Sequence, residues 1–342
     1  MSHGNRLSQK ARYFAACTST DYLIGWQRLS ADRARDPIPD TSGDQALLEA
    51  SLLERLGGTF DYCAHPVGIA SIDPGPDRIT VRIDPLMGLR QSPLALHSLA
   101  MLLPTRYVGV ESNLDEPGGI MGLRIAGLDD QGLYLSMAGT TAAATLTGPT
   151  AVQWSTYLAT HRAWCSENHL QPLWDTPRLH PDERAFTASA PSLTRHRSET
   201  AWVGSGLLRR IALLHTATHP YRVGYWNDGS AWKLDISYAY GARGSHDVFV
   251  KQLLHPRWGL PLAIEHAYCE CADGIADADP ASERMCSLRL ASHGDRRGGI
   301  DFRFRAATRQ CDLSTRHAAL ASAGAAPSWL KRAFPVQQDR RP

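Results

Sequence analysis

The sequence has little net charge and no long apolar run, and each absence excludes a class of protein. Its 36 basic and 34 acidic residues leave a formal charge of +2, which argues against a general surface for polyanions, so we expect no nucleic-acid partner. No stretch approaches the roughly 18 apolar residues of a membrane span, and Met1 to Lys10 lacks the apolar core of a signal peptide. We therefore expect a cytoplasmic protein without a membrane partner.

Several signatures of catalytic and metal sites are also missing. The phosphate loop G-x4-G-K-[ST] does not occur, and Gly204-Ser205-Gly206 lacks the G-x-S-x-G spacing of a serine hydrolase, so we interpret it as a helix start. His215 and His219 have the spacing of a zinc-binding helix, but Thr216 stands where a metalloprotease has glutamate. The seven cysteines are an odd number, and Cys269-x-Cys271 lacks the usual C-x2-C spacing. We expect free thiols and no structural zinc.

Apolar periodicity predicts both helices and strands. Leucines recur at helical spacing across residues 47–56, whereas apolar and polar residues alternate across 79–84, as in a half-buried strand. Asn227-Asp228-Gly229-Ser230 separates two apolar runs and predicts a hairpin turn. With 43% hydrophobic and 20% charged residues, the chain is long enough to bury a substantial core. These patterns predict an α/β fold, a mixed-sheet sandwich rather than a helical bundle.

The order of the predicted elements divides the chain into four segments. Residues 1–44 are predicted to form an N-terminal helical element and linker, and residues 45–165 an amino-terminal α/β domain. Residues 166–200 carry several prolines and few apolar repeats, so we predict a connection that runs over the surface. Residues 201–342 then form a carboxy-terminal domain. No internal repeat of useful length is visible in the sequence.

Two short motifs near the carboxyl end are the strongest indication of a function. An acidic residue beside a glycine, in Asp273-Gly274-Ile275, suits a divalent metal where the backbone must approach closely. Thr315-Arg316-His317, at a predicted helix start, offers donors suited to phosphate. Together the motifs predict a nucleotide site.

The two motifs resemble the D-G-A and G-T-R-H-R-A-A signatures of the diadenylate cyclase (DAC) domain. The resemblance implies that Asp273 is catalytic and holds Mg²⁺ or Mn²⁺, that Gly274, Thr315, Arg316 and His317 bind the nucleotide, and that Asp339 is a second metal ligand. It also implies a DAC-like carboxy-terminal domain and a homo-oligomer in which two such domains face each other, each with one ATP.

The departures from these signatures favour binding over catalysis. Ile275 replaces an alanine, Ser314 a glycine and Ala318 the second arginine, while Gln338 stands where the family has an acid. These changes remove charge that would stabilise a phosphoryl transition state. The chain is most similar to divergent, sensor-like DAC relatives, which implies a signalling sensor for ATP or a cyclic dinucleotide, or a weak nucleotidyltransferase.

Two alternatives compete with this interpretation. Thr194-Arg195-His196-Arg197-Ser198 matches T-R-H-R more closely than the carboxy-terminal copy does, but the segment before it is broken by proline, so we predict a basic loop there. The other alternative is an interaction scaffold without a small-molecule site, in which the aromatic residues serve a partner protein. A rise in melting temperature with ATP and Mn²⁺ distinguishes the nucleotide site from the scaffold.

The substitution at Ala318 leads to a first prediction. Incubation with ATP and Mn²⁺ should yield little or no cyclic dinucleotide, because alanine cannot replace the arginine that the family signature carries. Chromatography of the reaction mixture measures the product. Rapid product formation that is abolished in Asp273→Asn would contradict this prediction and make the chain an enzyme.

Overall fold

The structure is a computed structural model that describes most of the chain. The described residues are 3–32, 36–57, 65, 68–84, 93–108, 118–189, 191–214, 222–229, 231–238, 246–269, 285–293, 296–306, 317, 318, 321, 322, 327, 330 and 331. Eight helices, two five-stranded sheets and one two-stranded sheet lie within them. No helix in this part of the chain is both long enough and apolar enough to cross a membrane.

Helices and strands alternate along the chain, which is therefore of the predicted α/β class. The helices are α1 (His3–Thr18), α2 (Tyr22–Ala31), α3 (Gly43–Gly57), α4 (Leu94–Leu102), α5 (Ala151–Glu167), α6 (Pro181–Ser189), α7 (Pro191–Leu208) and α8 (His246–Leu253). The strands are β1 (Ile69–Pro74), β2 (Arg78–Ile83), β3 (Thr105–Tyr107), β4 (Leu123–Asp129), β5 (Gly132–Met137), β6 (Ala143–Thr147), β7 (Leu170–Pro172), β8 (Arg222–Asn227), β9 (Trp232–Tyr238), β10 (Leu262–Tyr268), β11 (Met285–Ser292) and β12 (Gly299–Ala306).

The two large sheets have the same topology. The first has the order β1-β2-β6-β5-β4 and the second the order β8-β9-β12-β11-β10. In each, the second and third strands in that order run parallel and all other neighbours run antiparallel, so both sheets are mixed. A long helix, α3 or α7, precedes each sheet, and a shorter helix, α4 or α8, follows its second strand. The fold thus repeats one unit that the sequence does not reveal.

Apolar alternation decides which face of each sheet is buried. In β2, Ile79, Val81 and Ile83 are buried and the residues between them are more exposed, as the sequence predicts. In β12 the same period buries Phe302 and Phe304. Each such side chain contributes about 1.5–3 kcal/mol by leaving water. The predicted hairpin at 227–230 is confirmed, because β8 and β9 pair across it.

Helices α3 and α7 pack against each other and join the two units. They run antiparallel, because Glu49 bonds Arg209 near one end and Glu54 bonds Arg197 near the other. Two glycines of α7 allow close contact with the second unit. A Cβ atom on Gly204 would lie 2.2 Å from the Trp232 ring, and one on Gly206 would lie 2.3 Å from Leu260.

Several local predictions are wrong. Thr194–Ser198 is not a basic loop but part of α7, and Gly204-Ser205-Gly206 lies in the last turns of that helix rather than at its start. Residues 166–200, predicted to form a connection over the surface, contain β7, α6 and the first part of α7. The local pattern does not indicate these elements, because tertiary contacts hold the segment.

A buried ion pair anchors this segment to the first sheet. Glu183 of α6 accepts bonds from the guanidinium of Arg124 on β4, at 2.5 and 3.0 Å, and from the backbone N–H groups of Gly122 and His180. Both side chains are at most 5% exposed. Burial by itself would raise the pKa of the Glu183 carboxyl, but the bonds from Arg124, Gly122 and His180 outweigh it and hold that pKa below its ordinary value.

Glu183→Gln should lower the free energy of unfolding by about 3–5 kcal/mol, because it leaves the Arg124 charge buried without a counter-charge. Urea unfolding at several pH values measures the difference. The difference in unfolding free energy between the two proteins should reach its full value above about pH 4.3, the ordinary glutamate pKa. It should shrink as the pH falls through the lower pKa that Glu183 has in the folded state. Asp182→Asn, at the exposed neighbouring carboxylate that pairs with Arg106, is the matched control and should cost about 1 kcal/mol or less. A stability of Glu183→Gln equal to that of the unmodified protein would contradict the prediction.

Candidate functional site

Most residues of the site predicted from the sequence lie outside the described part of the chain. These residues are Asp273, Gly274, Thr315, Arg316 and Asp339. His317 is described and lies exposed in a helical stretch. The described residues contain no group of three His, Cys, Asp or Glu side chains that could hold a metal ion. The predicted nucleotide and metal site therefore stays a prediction.

The competing T-R-H-R motif has a structural role. Arg197 bonds Glu54 of α3 at 3.2 Å, so part of its charge is used in joining the two helices. Arg195 is exposed on α7. Neither arrangement forms a phosphate-binding turn, because both residues lie inside a helix rather than at its first turn.

A buried thiol and imidazole in α5 do not form a nucleophilic pair. The sulfur of Cys165 lies 3.9 Å from Nε2 of His161, which stacks between Trp164 and Trp174. Burial raises the pKa of the Cys165 thiol to about 11 and, with a smaller contribution from Arg162, lowers the pKa of His161 to about 4. Both groups are neutral near pH 7, so the thiolate that catalysis needs is absent.

A cleft between the start of α3 and the end of α7 has the features of a binding site. We call it the α3–α7 cleft. Its inner part has a volume of about 260 Å³, and an outer part of about 440 Å³ shares several of its walls. The inner part is lined by Asp40, Thr41, Ser42, Trp202, Ser205, Gly206, Arg209, Arg210, Leu260, Pro261 and Arg296. The combined size is suitable for a small organic ligand.

The first arginine at the base of the cleft has a complete set of partners. Arg209 donates from Nε at 2.7 Å and from one terminal nitrogen at 2.6 Å to the two oxygens of Glu49, which is itself fully buried. Ser205 and Gln45 donate to the same carboxylate at 2.6 and 2.9 Å. Such a bidentate, fully bonded pair is neutral as a unit. Arg209 is therefore structural.

Among the described residues, the second arginine is buried without a counter-charge. Arg210 is only 3% exposed, and its guanidinium donates to the Tyr13 hydroxyl at 3.2 Å, the Gly206 carbonyl at 3.1 Å and the Trp258 carbonyl at 2.8 Å. All three acceptors are neutral, and the described residues place no carboxylate within 4.0 Å of it. A buried cation held only by neutral groups costs folding free energy.

The ionisable groups of Tyr13 and Cys17, which lie near Arg210, do not supply a negative charge. Burial raises the pKa of the Tyr13 hydroxyl above its ordinary value and the pKa of the Cys17 thiol to about 12, although the charge of Arg210 lowers both in part. Both groups therefore stay protonated near pH 7. Within the described residues the charge of Arg210, which lines the cleft, is therefore held by neutral groups alone.

The mouth of the cleft adds further positive charge and an aromatic ring. The guanidinium of Arg296 lies 5.7 Å from the centre of the Trp202 ring and is exposed. Gly43 begins α3 with a φ of +57° and open space around its missing side chain, so the backbone there is accessible. The start of α3 lines the outer part of the cleft, and a helix N-terminus carries a partial positive charge that favours negative charge nearby.

Sequence reasoning missed this site because its parts are distant in the chain. Gly43, Trp202, Arg210, Leu260 and Arg296 come together only through the packing of the two repeated units. The sequence offers one local signal, the pair Arg209-Arg210 within the apolar run from Leu207 to Leu214. Two adjacent arginines on a buried face predict either ion pairs or a ligand site. The structure pairs Arg209 with Glu49 and gives Arg210 neutral acceptors.

The two adjacent arginines should respond differently to removal of their charge. Arg209→Met should lower the free energy of unfolding by about 3–5 kcal/mol, because Glu49 is left buried and unpaired. Arg210→Met, the matched variant, should cost no more than about 2 kcal/mol, because the lost hydrogen bonds are offset by removal of a buried charge. Urea unfolding without ligand measures both. An equal loss in the two variants would mean that Arg210 is a structural charge like Arg209.

Comparisons with known proteins give this chain no family. No protein-family model matches it, and neither does any curated protein or solved structure. The assignment of a function therefore depends on the geometry and charge of the α3–α7 cleft.

Proposed function

We propose that this protein binds a nucleotide in the α3–α7 cleft, as a sensor rather than as an enzyme. The observation that supports this most is the buried, uncompensated guanidinium of Arg210. Its cost to folding is returned when an anion enters, because the ligand supplies the missing charge. A phosphate group is the anion that a guanidinium recognises with the best geometry.

The Trp202 ring in the wall of the cleft favours a nucleotide over a simple phosphate, because it offers a surface on which a base can stack. Trp202 lines the inner part of the cleft together with Arg210 and Arg296, and its indole nitrogen donates to the Arg297 carbonyl at 2.9 Å, which orients the ring. A base that stacks on a tryptophan gains about 1–3 kcal/mol. Phosphates contacted by the arginines and by the start of α3, with a base on Trp202, would occupy both parts of the cleft.

The absence of a catalytic group among the described cleft residues favours binding. The Ser205 hydroxyl donates a hydrogen bond to Glu49, and no histidine lines the described cleft beside it, so Ser205 is not an activated nucleophile. Glu199 lies beside Arg297, and Asp40 is exposed at the rim. Nothing in this set combines a base with a positioned nucleophile.

The DAC-like arrangement of residues 201–342, with its Mg²⁺ or Mn²⁺ site and its facing homo-oligomer, belongs to the same proposal. In this extended form the predicted motif at Thr315-Arg316-His317 would bind the triphosphate, and the protein would act in signalling. The two sites are separable by mutation, because Arg210 and Arg316 belong to different parts of the chain.

Titration calorimetry with ADP, ATP, cyclic di-AMP, adenosine and inorganic phosphate tests the proposal. We expect a phosphate-bearing nucleotide to bind, and Arg296→Ala to weaken binding by about 1.5–3 kcal/mol, the range for bonds to charged groups. Trp202→Leu should also weaken nucleotide binding but leave phosphate binding unchanged. Trp164→Leu, at an exposed tryptophan of α5, is the matched control and should change neither.

Two results would redirect the proposal. Full affinity in Arg210→Met and Arg296→Ala, together with lost affinity in Arg316→Ala, would place the nucleotide at the carboxy-terminal motif instead. No binding of any ligand, with no rise in melting temperature, would favour the interaction scaffold.

A further inference from the structure

Two cysteines lie opposite each other where the neighbouring strands β10 and β11 of the second sheet pair. The last described pair of the antiparallel β10–β11 ladder is Tyr268 with Ser287, so the next residues, Cys269 and Cys286, are opposite each other. Their sulfur atoms lie 3.5 Å apart. Neither forms a disulfide; Cys269 is exposed and Cys286 is buried.

This geometry suits a covalent bond. Residues directly opposite in an antiparallel pair have Cα atoms about 4.5–5.5 Å apart, within the range of about 4.4–6.8 Å for disulfides. The sulfurs need to approach only from 3.5 Å to the bond length of about 2.05 Å. Side-chain rotation can supply that change, so no movement of the strands is required.

The other described cysteines provide a contrast. Cys17 and Cys165 are both buried, and each lies beside a residue other than cysteine, Tyr13 and His161 respectively. They fill space in the core. The described part of the chain contains no group of three possible metal ligands. Proximity to a second thiol, combined with exposure of one partner, occurs at Cys269 and Cys286.

We propose that Cys269 and Cys286 form a reversible disulfide. The exposed Cys269 thiolate attacks a small disulfide such as oxidised glutathione, forms a mixed disulfide and releases one glutathione thiol. The Cys286 thiolate then attacks the Cys269 sulfur and releases the second. Two protein thiols are oxidised, one glutathione disulfide is reduced to two thiols, and the two protons leave with them. The bond ties β10 to β11 and closes a loop over residues 270–285.

The test uses the reduced full-length chain with oxidised glutathione, followed by alkylation and peptide mass mapping. Trypsin leaves Cys269 and Cys271 in one peptide and releases Cys286 in another, so the mapping is carried out in Cys271→Ser. We expect a linked pair of these peptides, a melting temperature higher by about 5 °C, and reversal of both by dithiothreitol. Cys17→Ser is the control and should form the same bond.

The single variants test the order of attack. Cys286→Ser should accumulate one glutathione on Cys269, because the second step is blocked, whereas Cys269→Ser should form no adduct at the buried Cys286. A link from Cys269 to another cysteine, or unchanged free thiols after oxidation of the folded protein, would overturn the proposal. Faster modification of Cys286 than of Cys269 would also overturn it, because the roles assigned from exposure would be reversed.

Discussion

The bond between Glu49 and Arg209 is the interaction on which the arrangement of the two units depends. Both side chains are at most 1% exposed, and desolvating them costs several kcal/mol each. The cost is offset because the carboxylate is bonded from several sides, including Ser205 at 2.6 Å. Gln45 extends the network, since it donates to Glu49 and also exchanges hydrogen bonds with Ala143 of the first sheet. One connected network thus holds a sheet and two helices in a fixed relation.

The same packing positions the walls of the α3–α7 cleft. Gly206 lets Leu260 approach the end of α7 closely, and the Trp232 ring lies against Gly204. A side chain at either glycine would push the second sheet away from the helix. Because the walls are fixed by the core, a ligand in the cleft would lose little free energy to ordering the protein. The guanidinium of Arg210 is also held in position, because its three hydrogen-bond acceptors belong to three different segments of the chain.

The sequence predicted elements whose pattern is local, and it missed those that depend on distant contacts. The strand around Ile79 and the hairpin after Asn227 are examples of the first kind, since alternation and turn residues suffice to define them. Helix α5 is an example of the second. Its apolar residues do not lie on one face, although Thr150 and Gln153 form a capping box that marks its start. The prolines before Thr194–Ser198 predict a loop there. In the structure, however, Pro191 is the first residue of α7, a position that proline tolerates.

The repeated topology was also beyond the sequence, because a fold can be repeated with different residues in each copy. Strands β2 and β9 occupy the same place in their sheets, and so do β6 and β12. The residues at these places share only their apolar character, which is all that the core requires. The candidate site could not be predicted for a related reason. It lies where the two copies meet, and that contact is defined by neither copy alone.

The opposite charges that join the two copies have a consequence for an isolated half. Helices α3 and α7 occupy equivalent places in the repeated unit, but Glu49 lies within α3, whereas Arg209 directly follows the end of α7. Each copy therefore supplies one member of a buried ion pair. A half of the chain expressed alone would leave Glu49 or Arg209 without the partner that offsets the cost of burying its charge.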